Sequence, residues 1–73
     1  MIAYVLVSAK PMSEHEVYLH LVKSEDVDEV FPLFGEFDII FRIKAESKGE
    51  ASVKIQKLLD FKGILATKTL FGY

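Results

Sequence analysis

The sequence predicts a single α+β domain over residues 1–73, with elements in the order strand, helix, strand, strand, helix, strand. Three observations carry this. Ile2–Ala9 is a near-continuous apolar run with β-branched residues, as in a central strand buried on both faces. Phe37–Ala45 alternates, with Phe37, Ile39, Phe41 and Ile43 on one face. Two Ser-x-x-Glu tetrapeptides, Ser13–Glu16 and Ser47–Glu50, each open a stretch with helical apolar spacing. Two capped helices of similar length after strands make a split βαβ repeat, the ferredoxin-like βαββαβ plait. Right-handed crossovers then give a four-stranded antiparallel sheet of order 4-1-3-2, with both helices on one face.

Each element has its own signal. Lys10-Pro11-Met12 breaks the first strand. The helix from Ser13 to about Lys23 places Val17, Tyr18, Leu21 and Val22 on one stripe. Ser24-Glu25-Asp26 reads as a loop, and Val27–Phe34 as a strand. Pro32 lacks an amide proton, which assigns that strand to a sheet edge. Gly35-Glu36 fits a two-residue hairpin with glycine leading a type II′ turn. After Ser47, the residues Ala51, Ile55, Leu58 and Leu59 form the second helical stripe, supported by Glu50 and Lys54 four apart. Asp60-Phe61-Lys62-Gly63 ends that helix, and Ile64–Phe71 is the last strand.

A chain of 73 residues buries about 60% of its unfolded surface, a marginal core. With no cysteine, disulfides and thiolate metal sites are excluded. A hydrophobic fraction of 51% with six Phe points instead to self-association as the staple. Strand 1 supplies the surface: Ile2, Tyr4 and Leu6 oppose Ala3, Val5 and Val7, yet the helices cover one sheet face only. Leu65 or Phe71 would add to the excess. An apolar patch of that kind marks an interface, so a dimer through the open sheet face is expected. No apolar run reaches membrane-spanning length, and Met1–Ala9 lacks a basic leader, so the cytoplasm is the expected location.

The net charge is −2, unlike the basic excess of a nucleic-acid binder. Residues 1–41 hold two cations against eight acids, a balance of −6. Residues 42–73 hold seven against three, a balance of +4. The halves either interleave in space, or give copies of the chain complementary patches or a basic patch for an acidic partner.

Catalytic constellations are thin. His15 and His20 lie five apart, about 140° around a helix, and cannot share a metal on one face. They read as solvated helix histidines, with His20 in reach of Glu16. The acidic run Glu25–Glu29 lacks the glycine and spacing of a calcium loop. No phosphate loop, nucleophile elbow or zinc spacing is present. No catalytic residue, metal or cofactor is therefore assigned, and the chain is not expected to be an enzyme. The most specific local feature is Gly35-Glu36-Phe37-Asp38. It is either a hairpin whose Asp38 pairs with a neighbour such as Arg42, or a carboxylate presented at the start of a central strand.

From Ala3-Tyr4-Val5-Leu6-Val7 through Gly35-Glu36-Phe37-Asp38 to Thr67-Lys68-Thr69-Leu70, the chain resembles a known family. It is similar to the regulation-of-amino-acid-metabolism (RAM) domain, the effector domain of Lrp/AsnC prokaryotic transcription regulators. The resemblance implies pairing through sheets, assembly of dimers into rings, and binding of amino-acid-like effectors between dimers near the Gly-x-x-Asp turn. It carries Gly35, Phe37 and Asp38 over as ligand-binding residues, with Thr67 and Thr69 of the last strand. Phe61-Lys62-Gly63-Ile64 stands where many members have Pro-Gly-Val. The sequence shows no N-terminal helix-turn-helix, so a stand-alone effector domain is expected, without direct DNA binding, able to join full-length regulators. Two other classes stay open: a small dimeric α+β-barrel monooxygenase or isomerase, and a structural oligomerisation module.

Overall fold

The computed structural model describes residues 1–72. Its elements are β1 (Ile2–Ala9), α1 (Glu14–Val22), β2 (Val27–Pro32), β3 (Ile39–Lys44), α2 (Lys48–Leu59) and β4 (Ile64–Gly72). The strands form one antiparallel sheet in the order β2-β3-β1-β4, the ferredoxin-like arrangement. The apolar β1 sits inside, and the Pro32-bearing β2 takes an edge, where a missing amide costs no ladder bond.

Register divides the sheet into two faces. On the helix side, Val30, Phe41, Val5 and Thr69 form one row, and Ile39, Val7 and Thr67 another. Ala3, Val5, Val7, Ile39, Phe41 and Ile43 are buried there against Val17 and Leu21 of α1 and Ala51, Ile55 and Leu58 of α2. On the open side, Phe31, Ile40, Leu6 and Lys68 form a row beside Glu29, Arg42, Tyr4 and Leu70. Two irregularities adjust the pairing. Asp28 is the extra residue between the Val27 and Glu29 pairs, and Leu65 falls between the partners of Ser8 and Ala9. Phe71 pairs with Ala3 on the helix side, beneath the Lys48 ammonium 5.0 Å from its ring, so it adds nothing to the open face.

Several sequence expectations are corrected here. β2 stops at Pro32 rather than Phe34, and residues 33–38 form the connection to β3. Gly35 in that loop does not take a positive φ, so the two-residue type II′ hairpin does not form. The loop closes instead through the Leu33 amide on the Asp38 carbonyl, at 2.7 Å. Strand β3 begins at Ile39, two residues later than the alternation suggested, leaving Phe37 in the loop. On α1, Val22 is exposed because the helix ends there, outside the stripe defined by Val17 and Leu21.

The two Ser-x-x-Glu boxes have different outcomes. Ser47 is extended, its hydroxyl accepts from the Glu50 amide at 3.1 Å, and Glu50 reaches back to the Glu46 amide at 2.8 Å. Ser13, at φ −104° and ψ 0°, makes no side-chain cap. Its conformation is set by the turn before it. The Ser13 amide donates to the Lys10 carbonyl at 2.9 Å, with Pro11 second and Met12 third at φ 74°, a type II-like pattern on a non-glycine residue. The Ser13 side chain lies against Gly63 instead of over its own helix.

The charge halves interleave. Arg42 donates to both Asp28, through two nitrogens, and Glu29, while Lys54 stands near Asp26 and pairs with Glu50 at 3.2 Å. Hydrogen bonding to Asp28 first, and to Tyr4 second, raises the Arg42 pKa further. The Glu50 carboxyl is held below its ordinary 4.5, first by the Glu46 amide and then by Lys54. A carboxyl lowered in the folded state stabilises above its unfolded pKa and stops doing so as pH falls through the folded value. Urea melts of Glu50→Gln should therefore show a deficit against the parent at neutral pH that closes as pH drops below the ordinary carboxylate range.

Candidate functional site

The N-terminal turn of α1 and the 33–38 loop meet beside the end of β3. Between them lies a cleft of about 390 Å³ lined by Glu14, His15, Tyr18, Pro32, Leu33, Phe34, Asp38 and Ile39. The local sequence explains the assembly. Glu14, His15 and Tyr18 share one side of α1, since positions one turn apart stack on a helix. Pro32 ends the pairing of β2 with β3, so Leu33 and Phe34 leave the sheet and form the opposite wall. Phe34 remains 97% exposed although it borders the cleft.

Asp38 is the best-anchored polar residue of the site. Its amide donates to the Val7 carbonyl and its carbonyl accepts from Leu33, so its backbone extends the ladder beyond β3. Its Oδ2 accepts the Ala9 amide at 2.8 Å, in the place a strand carbonyl would take had β3 continued. Arg42 is engaged by Asp28 and Glu29, so the Asp38–Arg42 pair, one of the two sequence readings of Asp38, is not made. The backbone bonds and the Oδ2 bond fix the carboxylate beside the cleft that Asp38 lines.

The other sequence-expected residues are placed differently. Gly35 is exposed, with open space where a Cβ would stand, and Phe37 is half-buried in the same loop. Thr67 and Thr69 lie on β4, opposite Val7 and Val5, on the far side of β1 from Asp38. Two strand spacings, about 10 Å, separate β4 from β3. Of the five, Asp38 lines the cleft within this chain. Sequence reasoning missed His15 as a cleft residue; its place one residue into the helix that follows β1 was a usable signal once that helix was aligned with the loop after Pro32.

His20, expected to be solvated beside Glu16, is instead a structural clamp. Its Nε2–H donates to the Leu58 carbonyl at 2.8 Å, and its ring stacks on Phe61 at 3.9 Å and 12°. That satisfies a carbonyl in the last turn of α2, where intrahelical donors run out. No group of three or more potential ligands is placed to hold a metal among the described residues, and no helix there is long and apolar enough to cross a membrane.

The open sheet face is the second candidate surface. Tyr4, Phe31 and Leu70 are exposed on it around the half-buried Ile2, Leu6 and Ile40. Arg42 with Asp28 and Glu29 forms a charged margin on the β2 side, and Lys68 stands at the β4 end.

No family model matches the chain. The HTH-type transcriptional regulator FL11 of Pyrococcus abyssi is 27% identical over 70 residues, covering 96% of this chain and 46% of that protein. The chain is similar to part of a transcriptional regulator. It spans about half the length of the curated relative it matches. The crystal structure of FFRP-DM1 superposes with a TM-score of 0.90 over 99% of this chain and 97% of that one, at 22% identity. A transcriptional regulator of Neisseria meningitidis, NMB0573 in complex with L-Met, gives a TM-score of 0.83 at 21% identity, over 99% of this chain and 49% of that one. These structures share the βαββαβ plait with this chain.

Proposed function

We propose that this chain is an effector-binding and oligomerisation domain of the Lrp/AsnC type, which senses an amino-acid-like molecule and modulates transcription regulators of that family. The observation that carries the reading is the Asp38 carboxylate, fixed at the wall of an amino-acid-sized cleft in a plait shared with transcriptional regulators. An α-amino acid presents an ammonium, which a fixed carboxylate accepts through a charge-assisted hydrogen bond. Gly35, Phe37, Thr67 and Thr69 are proposed to complete the site from a neighbouring dimer, since they do not line the cleft of their own chain. The open sheet face is proposed to pair with a second copy, and such dimers to build a ring. Effector binding at a joint between copies stabilises the assembled state by mass action.

Asp38→Asn separates ligand contact from loop architecture, because the amide oxygen still accepts from Ala9 while the charge is gone. Thermal-shift measurements with the common amino acids should show a shift for the parent, a smaller one for Asp38→Asn and an unchanged one for Glu36→Ala. Equal shifts for all three proteins would remove Asp38 from the site. The absence of any shift at millimolar amino acid would leave the structural oligomerisation module.

A further inference from the structure

We infer that the cleft beside Asp38 selects amino acids with an apolar side chain and discriminates against acidic ones; this rests on the effector reading above. The walls divide by chemistry. Tyr18, Pro32, Leu33, Phe34 and Ile39 supply apolar surface, while Glu14 and Asp38 supply two carboxylates. No lysine or arginine of the same chain lines the cleft.

A monocarboxylic amino acid fits that pattern. Its ammonium meets Asp38 or Glu14, and the His15 ring N–H is available to its single carboxylate. Its side chain covers Leu33 and Phe34. An aspartate or glutamate ligand would bring a second carboxylate toward the two already there, with no lysine or arginine in this chain's wall to receive it. Like-charge juxtaposition of this kind is how sites reject near-isosteric competitors. The cleft volume of about 390 Å³ lies near the small end of ligand sites, which run from about 300 to 1,000 Å³, and so suits a single amino acid.

Phe34 supplies the attraction. Phe34 borders the cleft yet is 97% exposed, so it makes almost no contact within its own chain. An apolar ligand side chain would take part of that ring out of water, whereas a charged one would not. The same exposure makes Phe34 a clean probe, because its removal takes no atoms from the core.

The test is titration calorimetry of the full chain and its Phe34→Ser variant with leucine, methionine, phenylalanine, aspartate and glutamate. At least one apolar amino acid should bind about tenfold or more tightly than either acidic one. Phe34→Ser should weaken the apolar ligands several-fold while its thermal melt stays that of the parent. Acidic ligands binding as tightly as apolar ones, or unchanged apolar affinity in Phe34→Ser, would overturn the inference and leave the effector reading standing. No heat with any of the five would overturn the inference, and no thermal shift with any of the common amino acids would overturn the effector reading as well.

Discussion

Ile40→Glu is expected to turn the proposed dimer into a folded monomer. Ile40 stands on the open sheet face between Leu6 and Phe31, with no cation directly opposite on either neighbouring strand. In a two-fold pairing of sheets each copy contributes the substitution, so two carboxylates enter one apolar layer. Burying an unpaired charge costs several kcal/mol, which for the pair corresponds to roughly a thousandfold or more in dimer affinity. The core on the opposite face, centred on Val5, Phe41, Val17 and Leu21, is untouched. Far-ultraviolet circular dichroism should therefore stay that of the parent while sedimentation velocity shows the mass halved. A variant that still sediments as a dimer would move the interface off this face.

The second large effect is expected at Gly63, and its contrast with Gly35 makes it informative. Gly63 has φ +105°, and a Cβ there would stand 3.1 Å from Ser13 Cβ and 3.4 Å from both Ser13 Oγ and a Val17 methyl. Its carbonyl also accepts the Lys10 amide at 2.7 Å, joining the turn after β1 to the turn before β4. Gly63→Ala must either strain the backbone or displace Ser13, at a cost of about 2–3 kcal/mol. For a domain of this size that lowers Tm by roughly 10 °C or more. Gly35→Ala meets no atom within 4 Å, and its backbone is not in the positive-φ region, so its melt should match the parent or rise slightly. A Tm loss at Gly35 equal to that at Gly63 would contradict this assignment of the two glycines.

Those glycines show where sequence reasoning succeeds and where it stops. The strand order was legible because the facts that set it are local. An eight-residue apolar run belongs inside the sheet, and a proline without an amide belongs at its edge. The helices were legible for the same reason, down to the Ala51, Ile55 and Leu58 stripe. Identical cap patterns nevertheless diverged at Ser13 and Ser47, because Ser13 is turned by Met12 and packed on Gly63, fifty residues further along the chain. Asp38 stands one residue before β3, at the strand start where the sequence puts it. Its partner, the Ala9 amide, depends on a register between strands twenty-nine residues apart, which periodicity does not encode. His20 is similar: nothing in its helix announces the Leu58 carbonyl or the Phe61 ring. The long-range polar contacts escape, and the candidate site is made largely of them.

Amino-acid binding and assembly are proposed to be one linked equilibrium. Light scattering of the chain at micromolar concentration, repeated across a leucine or methionine titration, tests it most directly. At least twice the monomer mass is expected without ligand, and a shift toward the larger closed assembly, or greater resistance to dilution, as amino acid is added. A compact monomer whose mass and melting temperature ignore every amino acid tried would contradict it.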